Sequence, residues 1–417
     1  MKKVMEQDKN IGRLISEILV KRRGSFVIFS VVFMLLILAG TPQLVFNGGL
    51  DIFFSEDDPS VVLFDEIKEQ YSGHENIVFL FRTEKEHLFN KEDIDSLSSL
   101  HSKADLSPYN TKVSSIINYE FIASNENEIV ITPLFNNPTQ VNDIDLKGIK
   151  EKINSDSLAA DFLVNKKGSV AIVVVELANN FDPTDPKQLK EVVMGAQNIK
   201  QEVEANNQEI SVYLNGSVIV LNQSQQAIGE TFGAFLPLTI IIMFLLLFFL
   251  FRSVGLVFAI LTINITAALG CIGAGAWFGV ELNMLSTTAV ILTLIIANVD
   301  TLHISTTYLK ELKNGLDKES AMSISLQRNF TAILLTSLTT VGGFLGFNFV
   351  GVAGISDLGN FTMLGVTIAF VLSFTLFPAL ALKWSNPDPA RGLDQEKVAK
   401  AITDFSLIYR RPLFVFF

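Results

Sequence analysis

Cysteine is nearly missing from this sequence. Cys271 is the single cysteine in 417 residues, and it lies inside an apolar run. An intramolecular disulfide is therefore impossible, and C-x-x-C zinc or redox motifs are absent. Basic residues are in the minority, with 32 Lys and Arg against 43 Asp and Glu and a net charge of −11. That balance lacks the basic footprint of a nucleic-acid binder, so no nucleic acid is expected as a partner. There are four histidines. His74, His87 and His101 are scattered through the first half without metal-pair spacing, and they read as surface residues. No Gly-rich phosphate loop and no G-x-S-x-G occur in that half. The acidic stretch "SEDDP" (55–59) lacks the ligand spacing of a calcium loop and reads as a solvated turn. With nucleophile, metal and cofactor constellations all missing, an enzyme is the least favoured class, and no cofactor or metal is expected.

Long apolar runs, by contrast, are plentiful. The chain is 49% hydrophobic and 18% charged, with a mean hydropathy of +0.39. It is too apolar for an ordinary soluble protein and too charged for one embedded throughout, so a membrane part and a water-soluble part are expected. Five runs, roughly 25–46, 233–251, 254–279, 285–309 and 329–350, reach the ~20 residues that a helix needs to cross a bilayer. A sixth covers about 359–382. The first is too long for a cleaved signal peptide and has no A-x-A-like site behind it.

Lys and Arg orient these spans. Lys2, Lys3, Lys9, Arg13, Lys21, Arg22 and Arg23 precede the first. Arg252 separates the second from the third. Lys310, Lys313, Lys318 and Arg328 lie between the fourth and fifth, and Lys383 and Arg391 follow the sixth. The short loops on the other side carry no Lys or Arg. The positive-inside rule then puts the N-terminus in the cytoplasm and residues 47–230 outside. That segment holds 30 acidic and 14 basic residues. Trp277 and Trp384 fall where the interfaces are expected.

The expected fold is a polytopic α-helical membrane protein of six transmembrane helices and the start of a seventh, with an α+β ferredoxin-like domain between the first two. The expected boundaries are a cytoplasmic amphipathic N-terminus (1–23), the first span (24–46), the extracytoplasmic domain (47–230), a bundle of spans two to six (231–383), a cytoplasmic linker (384–406) and a truncated seventh span (407–417). In the outer domain, strands are expected at 76–82, 112–122, 169–177 and 209–216. Helices are expected at 91–104, 145–155 and 185–205. The last of these shows an apolar face of Leu189, Val192, Val193, Ala196, Ile199 and Val203. Two β-α-β units in series suggest the split βαβ arrangement.

Asp300 sits near the middle of the fourth span, in "IIANVDTLH". No other Asp, Glu, Lys or Arg lies deep in any span. An ionised carboxylate costs roughly 2.5–3.5 kcal/mol or more at the bilayer centre, so such residues are functional candidates. His303, one turn on, shares its helix face. The fifth span contributes Thr336, Thr339 and Thr340 in "LLTSLTTVGGF". Gly342, Gly343 and Gly346 there would let helices approach closely. The set reads as a proton (or Na⁺) relay, in which protonation removes a costly charge and biases a helix rearrangement. A structural polar cluster is the competing reading.

The two ends of the chain look alike. Laid on one another, Arg22 falls on Arg410, Arg23 on Arg411, Phe26 on Phe414 and Val27 on Val415. Both stretches read as an amphipathic helix, a basic pair and the opening of a span. Long-period repeats are typical of transporters. The chain is therefore expected to be one half of a longer protein, with a C-terminal half or a second copy as its partner.

These features together resemble the resistance-nodulation-division (RND) superfamily, in its MMPL-like and sterol-sensing-domain-like branch. The resemblance rests on one span, a large outer domain, five more spans and a repeat, and on "ANVDTLHISTTYLKEL", "TSLTTVGGFLGF" and "TLFPALAL". It implies proton-motive-force-driven export of hydrophobic or lipid-like molecules from a bacterial inner membrane. It maps the relay carboxylate onto Asp300 and the polar motif of span five onto Thr336, Thr339 and Thr340. Asn298 stands where the family usually has Gly, and Thr301 where many members have Tyr. Besides the bilayer, homo-oligomers or envelope proteins are the partners it suggests. A non-transporting lipid sensor or scaffold, and a protein-secretion accessory, are the rival functions.

Overall fold

The structure, a computed structural model, describes residues 16–386 apart from 50, 56–57, 71–74, 126–127, 137, 139–142, 157–158, 161 and 184, together with 403–404 and 408. The expected seventh span (407–417) and most of the linker lie outside the described residues. The chain divides into two units. One comprises 1–47, 52–55 and 227–417, and the other comprises 48–51 and 56–226.

Helix α1 (Arg23–Leu38) opens the membrane unit. The second unit begins with α2 (Pro59–Gln70) and continues with β1 (Asn76–Thr83), α3 (Lys91–Ala104) and β2 (Asn110–Ser114). Then come β3 (Glu120–Asn125), β4 (Glu128–Pro133), α4 (Asp143–Ser155), β5 (Val170–Leu177), α5 (Pro186–Asn206) and β6 (Ile210–Asn215). The four-stranded sheet has the order β2-β5-β1-β6, and its paired strands are all antiparallel. Each β-α-β crossover, β1-α3-β2 and β5-α5-β6, thus has one antiparallel strand inserted between its two strands.

Alternation in the sequence creates the core of this unit. Ile77, Phe79 and Phe81 of β1 and Ala171, Val173 and Val175 of β5 point to one face and are fully buried. Helices α3 and α5 supply Leu97, Leu100, Leu189, Val192, Val193, Ala196 and Val203 to the same core. Ile199, the remaining member of the expected face, is partly buried against it. Burying each large side chain contributes about 1.5–3 kcal/mol.

Residues 112–122 are not one strand. Ser115 and Asn118 form a reciprocal capping box around a 3₁₀ turn at Ile116–Asn118, which ends β2. The chain then leaves the sheet for a separate β3–β4 hairpin. His101 is not a free surface residue either, since its Nδ1 lies 2.9 Å from the Ser115 hydroxyl.

Asp93, at the start of α3, is completely buried. It accepts from the Thr83 hydroxyl at 2.7 Å, Asn90 Nδ2 at 2.8 Å, and Lys85 and Asn207 at 3.4 Å each. Glu92 first, and then Glu209, hold the Lys85 ammonium well above its ordinary range.

After β6, a single helical path runs from Ser217 to Phe251. It comprises α6 (Ser217–Glu230), a π-helical turn at Thr231–Phe235 and α7 (Leu236–Phe251). Span two therefore continues a helix that starts before the expected boundary at 230. Arg252, in the left-handed region with φ 49°, ends α7. The bundle continues through α8 (Val254–Trp277), α9 (Thr288–Lys313), α10 (Lys318–Leu345), α11 (Ala353–Thr375) and α12 (Phe377–Trp384). Pro378 lacks the N–H that would carry α11 onward, and the sixth run breaks at Leu376. Six helices among the described residues are long and apolar enough to cross a membrane.

Close helix contacts occur where glycine permits them. A Cβ on Gly365 of α11 would lie 2.2 Å from Thr293 Oγ1, and one on Gly275 of α8 would lie 2.1 Å from the Phe361 ring. Gly342, Gly343 and Gly346 of α10 differ, because a Cβ on any of them would meet nothing within 4 Å.

Candidate functional site

Helix α9 carries the site. Small and β-branched residues line its buried side, including Ala289, Val290, Thr293, Ala297, Thr301 and Ser305, with Asp300 among them. Asp300 is only 4% exposed, and its Oδ2 is buried without a hydrogen-bond donor among the described residues. The neighbouring hydroxyls are occupied elsewhere. Thr301 Oγ1 donates to the carbonyls of Ala297 and Asn298 at 3.2 and 3.1 Å, and Ser305 Oγ donates to the Thr301 carbonyl at 2.7 Å. Such back-bonding satisfies a hydroxyl within its own helix and leaves nothing for the carboxylate.

The other expected relay residues are placed differently. His303 is exposed. On α10, Thr336 and Thr339 are exposed, and their hydroxyls donate to the carbonyls of Ala332 and Thr336 at 2.8 and 2.9 Å. Thr340 is partly exposed. The buried member of that stretch is Ser337. No hydrogen bond joins Thr336, Thr339 or Thr340 to Asp300 among the described residues. Within this chain the structure gathers one buried carboxylate on α9 and a hydroxyl-bearing face on α10.

Several polar contacts of the bundle escaped the sequence reading. The side-chain amide of Asn264, fully buried on α8, lies 3.2 Å from that of Asn298 on α9. Asn298 thus ties α9 to α8 two residues before Asp300. A lone Asn in "LTINITAALG" was the available signal. Glu311, 5% exposed near the end of α9, pairs with Arg328 of α10. Ser325 Oγ donates to the Ile304 carbonyl at 2.6 Å, and Asn329 Nδ2 to Thr307 Oγ1 at 2.9 Å. Ser30 of α1 donates to Thr375 of α11 at 2.9 Å. Asn283 Nδ2 donates to Asp357 Oδ2 at 2.8 Å, linking the α8–α9 loop to the start of α11 at the opposite end. No group of three or more His, Cys, Asp or Glu suited to a metal ion occurs among the described residues.

Comparison with known proteins bears directly on this arrangement. The hopanoid transporter HpnN of Rhodopseudomonas palustris (strain TIE-1) is 29% identical over 154 residues, which is 36% of this chain and 17% of that protein. A protein of Methanocaldococcus jannaschii, described as a membrane protein, is 30% identical over 79 residues, 19% of this chain and 20% of that one. The chain covers no more than a fifth of the length of either relative. The model of the MMPL family matches residues 53–412, a span that takes in the β-α-β sheet, the bundle and Asp300. This chain belongs to the MMPL family.

Proposed function

We propose that the chain is part of a proton-coupled RND-type exporter of hydrophobic or amphiphilic, lipid-like molecules. The observation that carries this reading is Asp300, a carboxylate in mid-span with one oxygen shut away from every described donor. A structural carboxylate in a low-dielectric site is stable when its lone pairs are filled. One left unfilled is suited to binding a proton, which removes the charge and lets the helices around it settle differently. Family membership and the similarity to a hopanoid transporter support a lipid-like cargo.

The relay of this proposal comprises Asp300, with His303, Thr336, Thr339 and Thr340 completing it when a second six-helix half or a second copy packs against the bundle. The exposed hydroxyl face of α10 and the open Gly342, Gly343 and Gly346 are the surface on which that packing would fall. The N-terminus is cytoplasmic and 47–230 extracytoplasmic, in a bacterial inner membrane, as the Lys and Arg placement supports. The strand order β2-β5-β1-β6 supports a ferredoxin-like outer domain. That domain receives cargo leaving the bundle, and homo-oligomers or envelope proteins extend the path.

The test is uptake of a fluorescent lipid-like probe into vesicles carrying the chain under an imposed proton gradient. Flux should follow the gradient and vanish in Asp300→Asn, with insertion unchanged. Gradient-independent flux, or full flux in the variant, would refute coupling through Asp300. Lipid binding without any flux would favour the sensor or scaffold reading, and accumulation of unexported precursor proteins on deletion of the gene would favour the secretion accessory.

A further inference from the structure

A cavity of about 550 Å³ opens at the basic end of the bundle, between the first turn of α1, the first turn of α10 and the last turn of α12. Arg23, Lys318 and Lys383 reach it from three separate elements, and Glu319 is the one acid in its lining. Glu319 is engaged by Arg23 at 2.5 Å. Lys318 donates to the Ser385 carbonyl at 3.0 Å, which leaves its charge uncancelled. Lys318 and Lys383 have no carboxylate partner among the described residues, so the cavity carries a net positive charge. Its other walls are apolar, from Val27 and Leu380, with the half-exposed Trp384 at the rim.

Cations alone at the ends of spans are ordinary, because they set topology. This site differs in being concave, in joining three elements, and in pairing two uncancelled ammonium groups with an apolar flank. We propose that the cavity binds the headgroup of an anionic phospholipid, with an acyl chain lying along Val27 and Leu380. A phosphodiester suits the two lysines, since an ammonium binds phosphate as a point charge. Basic pockets between spans on the cytoplasmic side are where such headgroups bind. The apolar wall favours a lipid over a soluble phosphate, which would gain nothing from it. The binding stands apart from the transport reading, and only the choice of leaflet rests on the orientation proposed above.

The test is native mass spectrometry of the 417-residue chain released from phosphatidylcholine nanodiscs doped with phosphatidylglycerol. Phosphatidylglycerol should be retained preferentially over phosphatidylcholine. Lys383→Gln, which disturbs no described partner, should weaken retention about fivefold, and Lys318→Gln combined with Lys383→Gln should remove the selectivity. Gly24→Phe keeps every charge and has open space for its side chain, because a Cβ there meets nothing within 4 Å. It should abolish retention by filling the cavity. Circular dichroism and melting without added phosphatidylglycerol should match the unsubstituted chain for Lys383→Gln and Gly24→Phe, so these two carry the test should the double variant unfold. Equal retention of the two lipids would overturn the proposal. So would unchanged selectivity in both single variants, or competition by free glycerol phosphate as effective as the lipid's own binding.

Discussion

Each of the two units buries an aspartate, and their surroundings are opposite. Asp93 accepts from Thr83, Lys85, Asn90 and Asn207, all of which converge on its two oxygens. Asp300 keeps one oxygen away from any described donor. The α/β unit can surround a buried charge because its loops and strand ends bring long polar side chains inward. Beside Asp300, the hydroxyls of Thr301 and Ser305 bond the backbone of their own helix. A saturated carboxylate is a fixed part of its fold, whereas an unsaturated one is sensitive to anything that supplies a donor or a proton.

The largest expected effect falls on Asp300. Asp300→Asn should reduce gradient-driven flux to that of protein-free vesicles, while the melting temperature in micelles stays the same or rises because a costly group has gone. A marked fall in melting temperature would place Asp300 alongside Asp93 as a structural residue and erase the contrast. Asp93→Ala should destabilise its unit by about 3 kcal/mol, since Thr83, Asn90 and Asn207 lose a buried acceptor while Lys85 keeps Glu92 and Glu209. Hydrogen exchange of α3 and β1 in the full chain measures this, and flux at temperatures below melting should persist.

Gly365→Val sharpens the comparison from the packing side. Bundle helices gain little from the hydrophobic effect and depend on close fit. A side chain driven into Thr293 and Cys271 should cost about 1–3 kcal/mol, read from chemical unfolding in micelles, with Gly342→Val as the neutral control on an open site. The smallest effect concerns pH. Burial holds the His101 imidazole below its ordinary value of 6.5, against a weaker pull from Asp105. The unfolded chain then binds a proton first as pH falls, so this contribution is full above 6.5 and is lost below it, down to the folded value. His101→Gln should flatten that slope in the α/β unit alone, as amide exchange at pH 5 and 7 would reveal.

Much of this contrast was legible in the sequence, and the reasons are local. The spans show as uninterrupted apolar runs, and Asp300 stands out because nothing else charged lies near it. Strands β1, β5 and β6 show as apolar or alternating runs, and α5 as a face of period 3.6. Asp93 was not legible. An Asp in the first turn of an amphipathic helix reads as a solvated N-terminal charge, and its burial depends on Asn207, distant in sequence. The continuity of α6 and α7 was hidden as well. Asn222, Gln223, Gln225 and Gln226 give the first half of that helix a soluble composition, while backbone continuity leaves no mark on hydropathy. Glycines in apolar runs look alike, so Gly275 and Gly365, which meet neighbours, could not be told from Gly342, Gly343 and Gly346, which do not. The β2–β3 break lay in a capping box inside a strand-like run.

The contacts between α9 and α10 have a mechanical consequence. Glu311–Arg328, Ser325 to Ile304 and Asn329 to Thr307 all fasten the pair near its basic end. Beyond Asn329, no hydrogen bond between described residues joins the two helices. Polar bonds thus fasten the pair at one end, while further along α10 Ile333 and Ser337 are buried by packing alone. Ile304 lies one turn from Asp300, so the fastening sits beside the buried carboxylate, and a change of charge there bears directly on the joint between the two helices.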